Sequence, residues 1–292
     1  MVWRLIEVTH HSDPGCPWAW SASPALAVLR WRYGDELRWR HVMIGLTERA
    51  EQYLERGYTP ERQALGYQRF RRYGMPLSTQ PRRRIAATSR ACRAVVATRL
   101  LDAPRELDAF RALQLGMFTA ALVLDDDADI ARALERVDGL DAAAVVAALD
   151  DPEVVRAYEA DRAEARTAAG SATEFQGKAA RTDGPVRYTA PSLLFENGGR
   201  RLEAGGFQPV EAYDVVIANL DPTLERRAAP ESALDVLRDS PIALCTQEVA
   251  AVLARGNEAP DRAAAEAELI ALAAAGEATR EPAADDALWA AG

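Results

Sequence analysis

Apolar and polar positions alternate differently in successive parts of the chain. Val2 to Val8 is an apolar run that reads as a β-strand, and Ala19 to Tyr33 carries apolar residues at helical spacing. Leu37 to Leu46 alternates, with Leu37, Trp39, His41 and Met43 on one face and Arg38, Arg40 and Val42 on the other. Strand, helix, strand predicts a crossover and a parallel pair. From residue 47 to 183 helical spacing takes over, as in Cys92, Val95, Val96, Leu100 and in Phe110, Leu113, Met117, Ala121. Pro104, the run Asp125-Asp126-Asp127, Gly139 and Pro152 cut this stretch into several helices, with short amphipathic patterns over Ala142 to Leu149 and from Glu153 onward. Residues 184–220 return to β character. Pro191 to Phe195 reads as a strand, Glu196-Asn197-Gly198-Gly199 as a hairpin turn, Arg201 to Ala204 as its partner and Gln208 to Leu220 as a closing helix.

Beyond a linker from Asp221 to Pro230, Thr246 to Leu253 and Arg262 to Ala274 are predicted helical, with Thr246 as N-cap. Gly276 to Trp289 then reads as a hairpin. The expected architecture is an α/β fold. Residues 1–220 form a mixed-sheet domain with a large helical insertion at about 47–183. Residues 221–292 form a small C-terminal helical or winged-helix-like module, a simple helical tail being the alternative.

Composition narrows the functions. The 292 residues are 49% hydrophobic and 27% charged, ordinary values for a folded globular chain, with a net charge of -9. Such a balance gives no general attraction to nucleic acid. Residues 241–292 hold three basic residues (Arg255, Arg262, Arg280) against nine acidic ones, a balance of -6, so a DNA-reading wing is not expected. Lys178 is the only lysine, which fits the codon bias of a GC-rich genome. Met1 to Leu5 lacks the sections of a secretory signal, and no stretch is long and apolar enough for a membrane span. The three cysteines are far apart, which argues against a disulfide framework and makes the cytoplasm the expected compartment. No phosphate loop or dinucleotide fingerprint follows a strand, so no nucleotide cofactor is expected, and the poor ligand spacing of His10, His11 and Cys16 makes a metal cofactor unexpected too.

The candidate chemistry lies in Asp13-Pro14-Gly15-Cys16-Pro17-Trp18-Ala19-Trp20, between the first strand and the first helix. A cysteine there meets free backbone N–H groups and the positive end of a helix, both of which favour a thiolate. Pro17 suits the first helical turn. Strand, turn, Cys-Pro-x-x, helix is the layout of a thioredoxin-type thiol site, yet Ala19 stands where a second cysteine would complete it. Chemistry at Cys16 therefore runs through one thiol or borrows a second sulfur. Cys92 and Cys245 read as core residues, with Cys92 as a distant resolving thiol the alternative. Trp18 is expected to cap the site surface, Trp20 to enter the core and Asp13 to cap the turn. His10 and His11 point to opposite faces, so one of them can approach Cys16, whereas metal binding by these residues has poor spacing. The cluster Arg69, Arg71, Arg72, Arg82, Arg83 and Arg84 reads either as solvated surface or as an anion site for carboxylates.

Ser12-Asp13-Pro14-Gly15-Cys16-Pro17-Trp18 resembles the active-site segment of the DsbA-like branch of the thioredoxin superfamily. Thr189-Ala190-Pro191-Ser192-Leu193-Leu194-Phe195 is similar to that branch's cis-proline strand, and Gly205-Gly206-Phe207-Gln208-Pro209 to its segment before the last helix. The resemblance covers roughly residues 3–220 and implies a thiol–disulfide oxidoreductase with Cys16 as nucleophile. Asp13, Pro17, Trp18 and Ala19 would support it, while Pro191 and the Ala190 backbone would position a sulfur substrate. Cytoplasmic relatives of this frame imply a low-molecular-weight thiol, glutathione or mycothiol, as co-substrate. The expected function is single-thiol exchange with a small-molecule or protein thiol or disulfide. One alternative is an enzyme like the kappa-class glutathione transferases or 2-hydroxychromene-2-carboxylate isomerases. Others are a non-catalytic thioredoxin-like binding protein and a redox-linked DNA regulator. No membrane partner is expected, and a homo-oligomer fits the resemblance.

Overall fold

The computed structural model describes residues 5–182, 184–256 and 258–292, so residues 2–4 of the expected first strand lie outside the described residues. In chain order the first part is β1 (Ile6–Ser12), α1 (Pro17–Ser21), α2 (Ser23–Tyr33) and β2 (Leu37–Met43). The insertion is α3 (Glu51–Leu54), α4 (Pro60–Tyr67), α5 (Ser89–Leu101), α6 (Glu106–Phe118), α7 (Asp127–Leu134), α8 (Ala142–Ala147), α9 (Pro152–Ala165) and α10 (Ala172–Phe175). Then follow β3 (Ala179–Ala180), β4 (Arg187–Tyr188), β5 (Ser192–Asn197), β6 (Arg200–Ala204) and α11 (Val210–Leu220). The last part is α12 (Ala233–Asp239), β7 (Leu244–Cys245), α13 (Thr246–Leu253), α14 (Arg262–Ala274), β8 (Ala278–Ala283) and β9 (Asp286–Ala291).

The central sheet has the order β2-β1-β5-β6, with β1 parallel to β2 and the other pairs antiparallel. The β5–β6 turn is Gly198-Gly199, both at positive φ, as a two-residue hairpin of this hand requires. Ile6, Val8, Leu193 and Phe195 bury one sheet face against Leu26 and Leu29 of α2 and Tyr213 and Ile217 of α11. The insertion has its own core around Cys92, Val95, Phe110, Leu113, Phe118 and Ile130, which also takes in Trp20 and Met43. Arg99 holds Asp161 with both nitrogens, and Asp161 accepts the Met43 N–H at 2.9 Å, tying α5 and α9 to β2.

Several expectations need correction. The first helix is two: α1 ends at Ser21, and α2 begins at Ser23 with Pro24 in its first turn. Leu100 is exposed near the end of α5, and Ala121 lies past α6 at a φ of 54°, outside the helical stripe. Thr246 is not an N-cap. Cys245 holds that position in a reciprocal cap with Glu248, while the Thr246 hydroxyl donates to Asp286 and accepts from the Trp289 indole.

Residues 233–291 run helix, strand, helix, helix, hairpin, closed by a three-stranded sheet of order β7-β9-β8. This is the element order of a winged helix, but its hairpin is turned inward. Asp285 at the tip accepts the Leu77 N–H at 2.9 Å, and Ala283 and Leu288 join the insertion core. On the other side Val249, Val252, Leu269 and Trp289 pack against Ala27, Val28 and Trp31 of α2.

The three histidines of the chain sit on β1 and β2, all buried. Burial lowers His10 well below its usual range, His11 to about 4 and His41 to about 3. In the unfolded chain they protonate near the ordinary value, so stability falls as pH drops below about 6.5. Asp13 and Glu106, whose carboxyls are raised by burial, act in the opposite direction. The three histidines outweigh the two carboxyls, so the urea midpoint is expected to be lower at pH 5 than at pH 7. An unchanged midpoint would mean that the buried histidines do not outweigh these carboxyls.

Candidate active site

β1 delivers the chain to a tight turn held by one carboxylate. Asp13 is fully buried, and its Oδ1 accepts the Gly15 N–H at 2.8 Å. Its Oδ2 accepts the Leu46 N–H at 2.8 Å, the Thr88 hydroxyl at 2.7 Å and the Cys92 thiol at 3.4 Å. Asp13 thus caps the turn, as expected, and also joins three segments. Gly15 is required by space: a Cβ there would meet Thr88 Cγ2 at 2.7 Å.

Cys16 is the N-cap of α1, with Pro17 next. Its thiol donates to the Ala190 carbonyl at 3.1 Å, and the Ala190–Pro191 peptide is cis. Residues 16 and 190, far apart in sequence, are therefore brought together. Ala19, at the position of a second cysteine, is 2% exposed. The three cysteines are all free and buried.

Burial opposes the thiolate that the helix N-terminus favours. The Trp18 and Ala19 N–H groups do pull the Cys16 pKa down, but burial outweighs them and the Asp13 charge adds to it, pushing the thiol up to about 12. Alkylation of Cys16 should therefore accelerate about tenfold per pH unit from about pH 7 to about pH 10 without levelling off. A plateau near neutrality, in a chain with Cys92 and Cys245 changed to serine, would contradict this.

Cys16 lies in the wall of a cavity of about 640 Å³. Trp18 is 40% exposed and stands among Phe70, Tyr73 and Phe207, with ring centroids at 4.9, 5.8 and 5.6 Å. Trp20, by contrast, is fully buried against Phe118. Tyr53, Tyr58 and the cations Arg62, Arg69, Arg72 and Arg187 complete the lining. Arg69 has no hydrogen-bond or ion-pair partner among the described residues and is exposed. No histidine lines this cavity; His10 packs on His41 and Phe110, and His11 on Tyr188.

The arginine cluster therefore divides. Arg69 and Arg72 face the cavity. Arg71 pairs with Asp285, Arg83 with Asp126 and Asp129, and Arg84 with Asp125. Arg82 is buried as a strut, donating to the Leu122 carbonyl, Gln63, Tyr67 and the Met117 carbonyl. Sequence reasoning missed Arg62, Tyr53, Tyr58, Phe70, Tyr73 and Arg187 as cavity residues. The aromatic residues interleaved with arginines between 53 and 73 were the available signal.

The sequence profile of the DSBA-like thioredoxin domain matches residues 7–169. The chain belongs to this family. A search of curated protein sequences returned no match. Among solved structures, this DsbA-like chain is similar to the cytosolic disulfide reductase DsbM from Pseudomonas aeruginosa, at 17% identity and a TM-score of 0.51, over 74% of this chain and 100% of that one. It is also similar to a probable DsbA oxidoreductase from Streptomyces coelicolor, at 20% identity and a TM-score of 0.54, over 77% of this chain and 93% of that one. The Pseudomonas protein has also been solved with GSH, a structure similar at 18% identity and a TM-score of 0.51, over 73% of this chain and 98% of that one. Among the described residues, no cluster of histidine, cysteine, aspartate and glutamate is suited to a metal ion, and no helix is long and apolar enough to cross a membrane.

Proposed function

We propose that this DsbA-like chain catalyses thiol–disulfide exchange through Cys16 alone, with a low-molecular-weight thiol as co-substrate. The observation that carries the reading is one sulfur, in the wall of a cationic, aromatic-lined cavity, with Ala19 where a second sulfur would stand. The Cys16 sulfur attacks one sulfur of a disulfide as its S–H bond breaks. A new S–S bond forms, the old one breaks, and the leaving thiolate takes up the proton. A thiol from solution then attacks the mixed disulfide, forms a new small disulfide and returns Cys16 to the thiol. The Trp18 and Ala19 N–H groups lower the cost of charge on sulfur during both steps. Pro17 fixes the first turn, while the Ala190 carbonyl beside Pro191 orients the thiol.

Arg69 and Arg72 supply two forks for carboxylates, which favours glutathione over the uncharged mycothiol. The GSH complex of the Pseudomonas neighbour and the three unpaired cysteines support a reduced, cytoplasmic setting. Residues 1–220 act in this reading as the catalytic unit and 221–292 as a packing module.

In exchange between glutathione and bis(2-hydroxyethyl) disulfide, Arg69→Ala with Arg72→Ala is expected to raise the KM for glutathione roughly tenfold while kcat stays within roughly twofold. With 2-mercaptoethanol as the thiol, the same change should have no effect. An unaltered glutathione KM would remove the carboxylate role. The buried, unionised thiol favours a second reading, a binding protein without turnover, in which Cys16→Ser leaves partner binding intact.

A further inference from the structure

A second cavity, of about 890 Å³, shares no lining residue with that of Cys16. It lies between the C-terminal end of α2, the first half of β2, the start of α6 and the segment 225–227. Since β1 runs from Ile6, opposite Leu37, toward Cys16, this cavity sits at the other end of the parallel pair from the thiol.

Its walls hold polar groups that nothing satisfies. Arg30 makes no hydrogen bond and no ion pair among the described residues; its guanidinium lies over the Trp39 ring, 4.9 Å from the centroid. The Trp39 indole nitrogen is buried without a partner. His41 is 6% exposed, lines the same cavity and leaves Nε2 without a partner. Buried polar atoms normally find partners, so two neighbouring exceptions beside the half-buried Arg30 guanidinium call for a missing partner. Burial lowers the Arg30 pKa to about 10, and the charge of Glu248, itself ion-paired to Arg111, offsets this only in part.

We propose that this cavity is a binding site for a small organic monoanion, a carboxylate on a flat, aromatic body. The Arg30 fork and the Trp39 N–H would take the carboxylate, with the imidazole of His41 beside them. A guanidinium presents two parallel N–H groups at carboxylate spacing. Tyr33, Leu37, Pro104 and Leu107 give the ligand's ring a largely apolar surround. Charge selects a monoanion over a phosphate dianion. The other arginines of the lining are committed, Arg32 and Arg226 to Asp214 and Arg227 to Asp239, while Asp35 and Glu225 add negative charge at the exposed rim. The site is independent of the thiol chemistry proposed above.

The test is calorimetric titration of the full chain with 2-naphthoate, its uncharged amide and inorganic phosphate. The site predicts saturable binding of 2-naphthoate, with the amide roughly tenfold weaker or worse and phosphate not competing. Arg30→Met should weaken 2-naphthoate binding roughly tenfold, whereas Arg69→Ala at the other cavity leaves it unchanged. The Trp39 indole N–H resonance, assigned by its loss in Trp39→Phe, should shift on saturation. If Arg30→Met does not fold, that resonance in the unaltered chain decides. No saturable binding, equal binding of the amide, displacement by phosphate or an unmoved Trp39 resonance each overturns the proposal.

Discussion

Cys16→Ser is expected to reduce thiol–disulfide exchange to the uncatalysed background, a loss of roughly a thousandfold or more. The hydroxyl can still donate to the Ala190 carbonyl, which now accepts the thiol at 3.1 Å, so the fold should change in stability by less than about 1 kcal/mol. Cys92→Ser and Cys245→Ser should retain activity within roughly twofold, because neither sulfur lines the Cys16 cavity. Cys92 donates to Asp13 Oδ2 at 3.4 Å, and a serine keeps that donor. The comparison of the three variants in the glutathione assay separates one-thiol chemistry from a relay to Cys92. Full activity in Cys16→Ser would end the catalytic account, and loss in Cys92→Ser with the fold intact would reinstate the relay.

Arg111→Met is expected to destabilise the chain by about 3–5 kcal/mol. Arg111 is 5% exposed and ion-paired to Glu248, itself 2% exposed, and its guanidinium lies 4.7 Å over the Trp20 ring. The same nitrogen reaches Cys245 Sγ at 3.3 Å. The pair joins α6 of the insertion to α13 of the C-terminal part, so its loss leaves a buried carboxylate without a cation across that contact. Glu248 also accepts the Cys245 N–H at 2.7 Å and so closes the N-terminus of α13. The double change Arg111→Met with Glu248→Gln removes the charge and keeps the cap, and should recover roughly half of the loss. Urea midpoints of the two variants measure this. Equal midpoints for Arg111→Met and the unaltered chain would show that the C-terminal part is not held by this pair.

Local pattern carried most of the architecture. The parallel pair, the Gly198-Gly199 turn, the helices at Thr246 to Leu253 and Arg262 to Ala274, and the final hairpin are all written in short-range periodicity and turn residues. Breaks inside an apolar run were harder to read. Pro24 belongs to the first turn of a second helix, which periodicity alone does not separate from one continuous helix. Sequence placed Cys16, Asp13, Pro17 and Trp18 at the site because they are contiguous. The cavity walls from residues 53–73 and 187 depend on how the insertion folds over the sheet, so the aromatic and arginine pattern of 53–73 does not by itself tie them to Cys16. The burial that opposes a thiolate at Cys16 was hidden for a related reason. A helix N-terminus is visible in sequence, but the burial that overrides it is a tertiary property. The wing turned inward for the same kind of cause: Leu77, its partner at the tip, lies more than half the chain away.

The most direct measurement is the intact mass of the folded chain after incubation with glutathione disulfide, followed by mapping of the modified residue. The account predicts one glutathionyl group, on Cys16, removed by excess glutathione without leaving any disulfide within the protein. No adduct at Cys16, or an adduct that resolves into a Cys16–Cys92 disulfide, would contradict it.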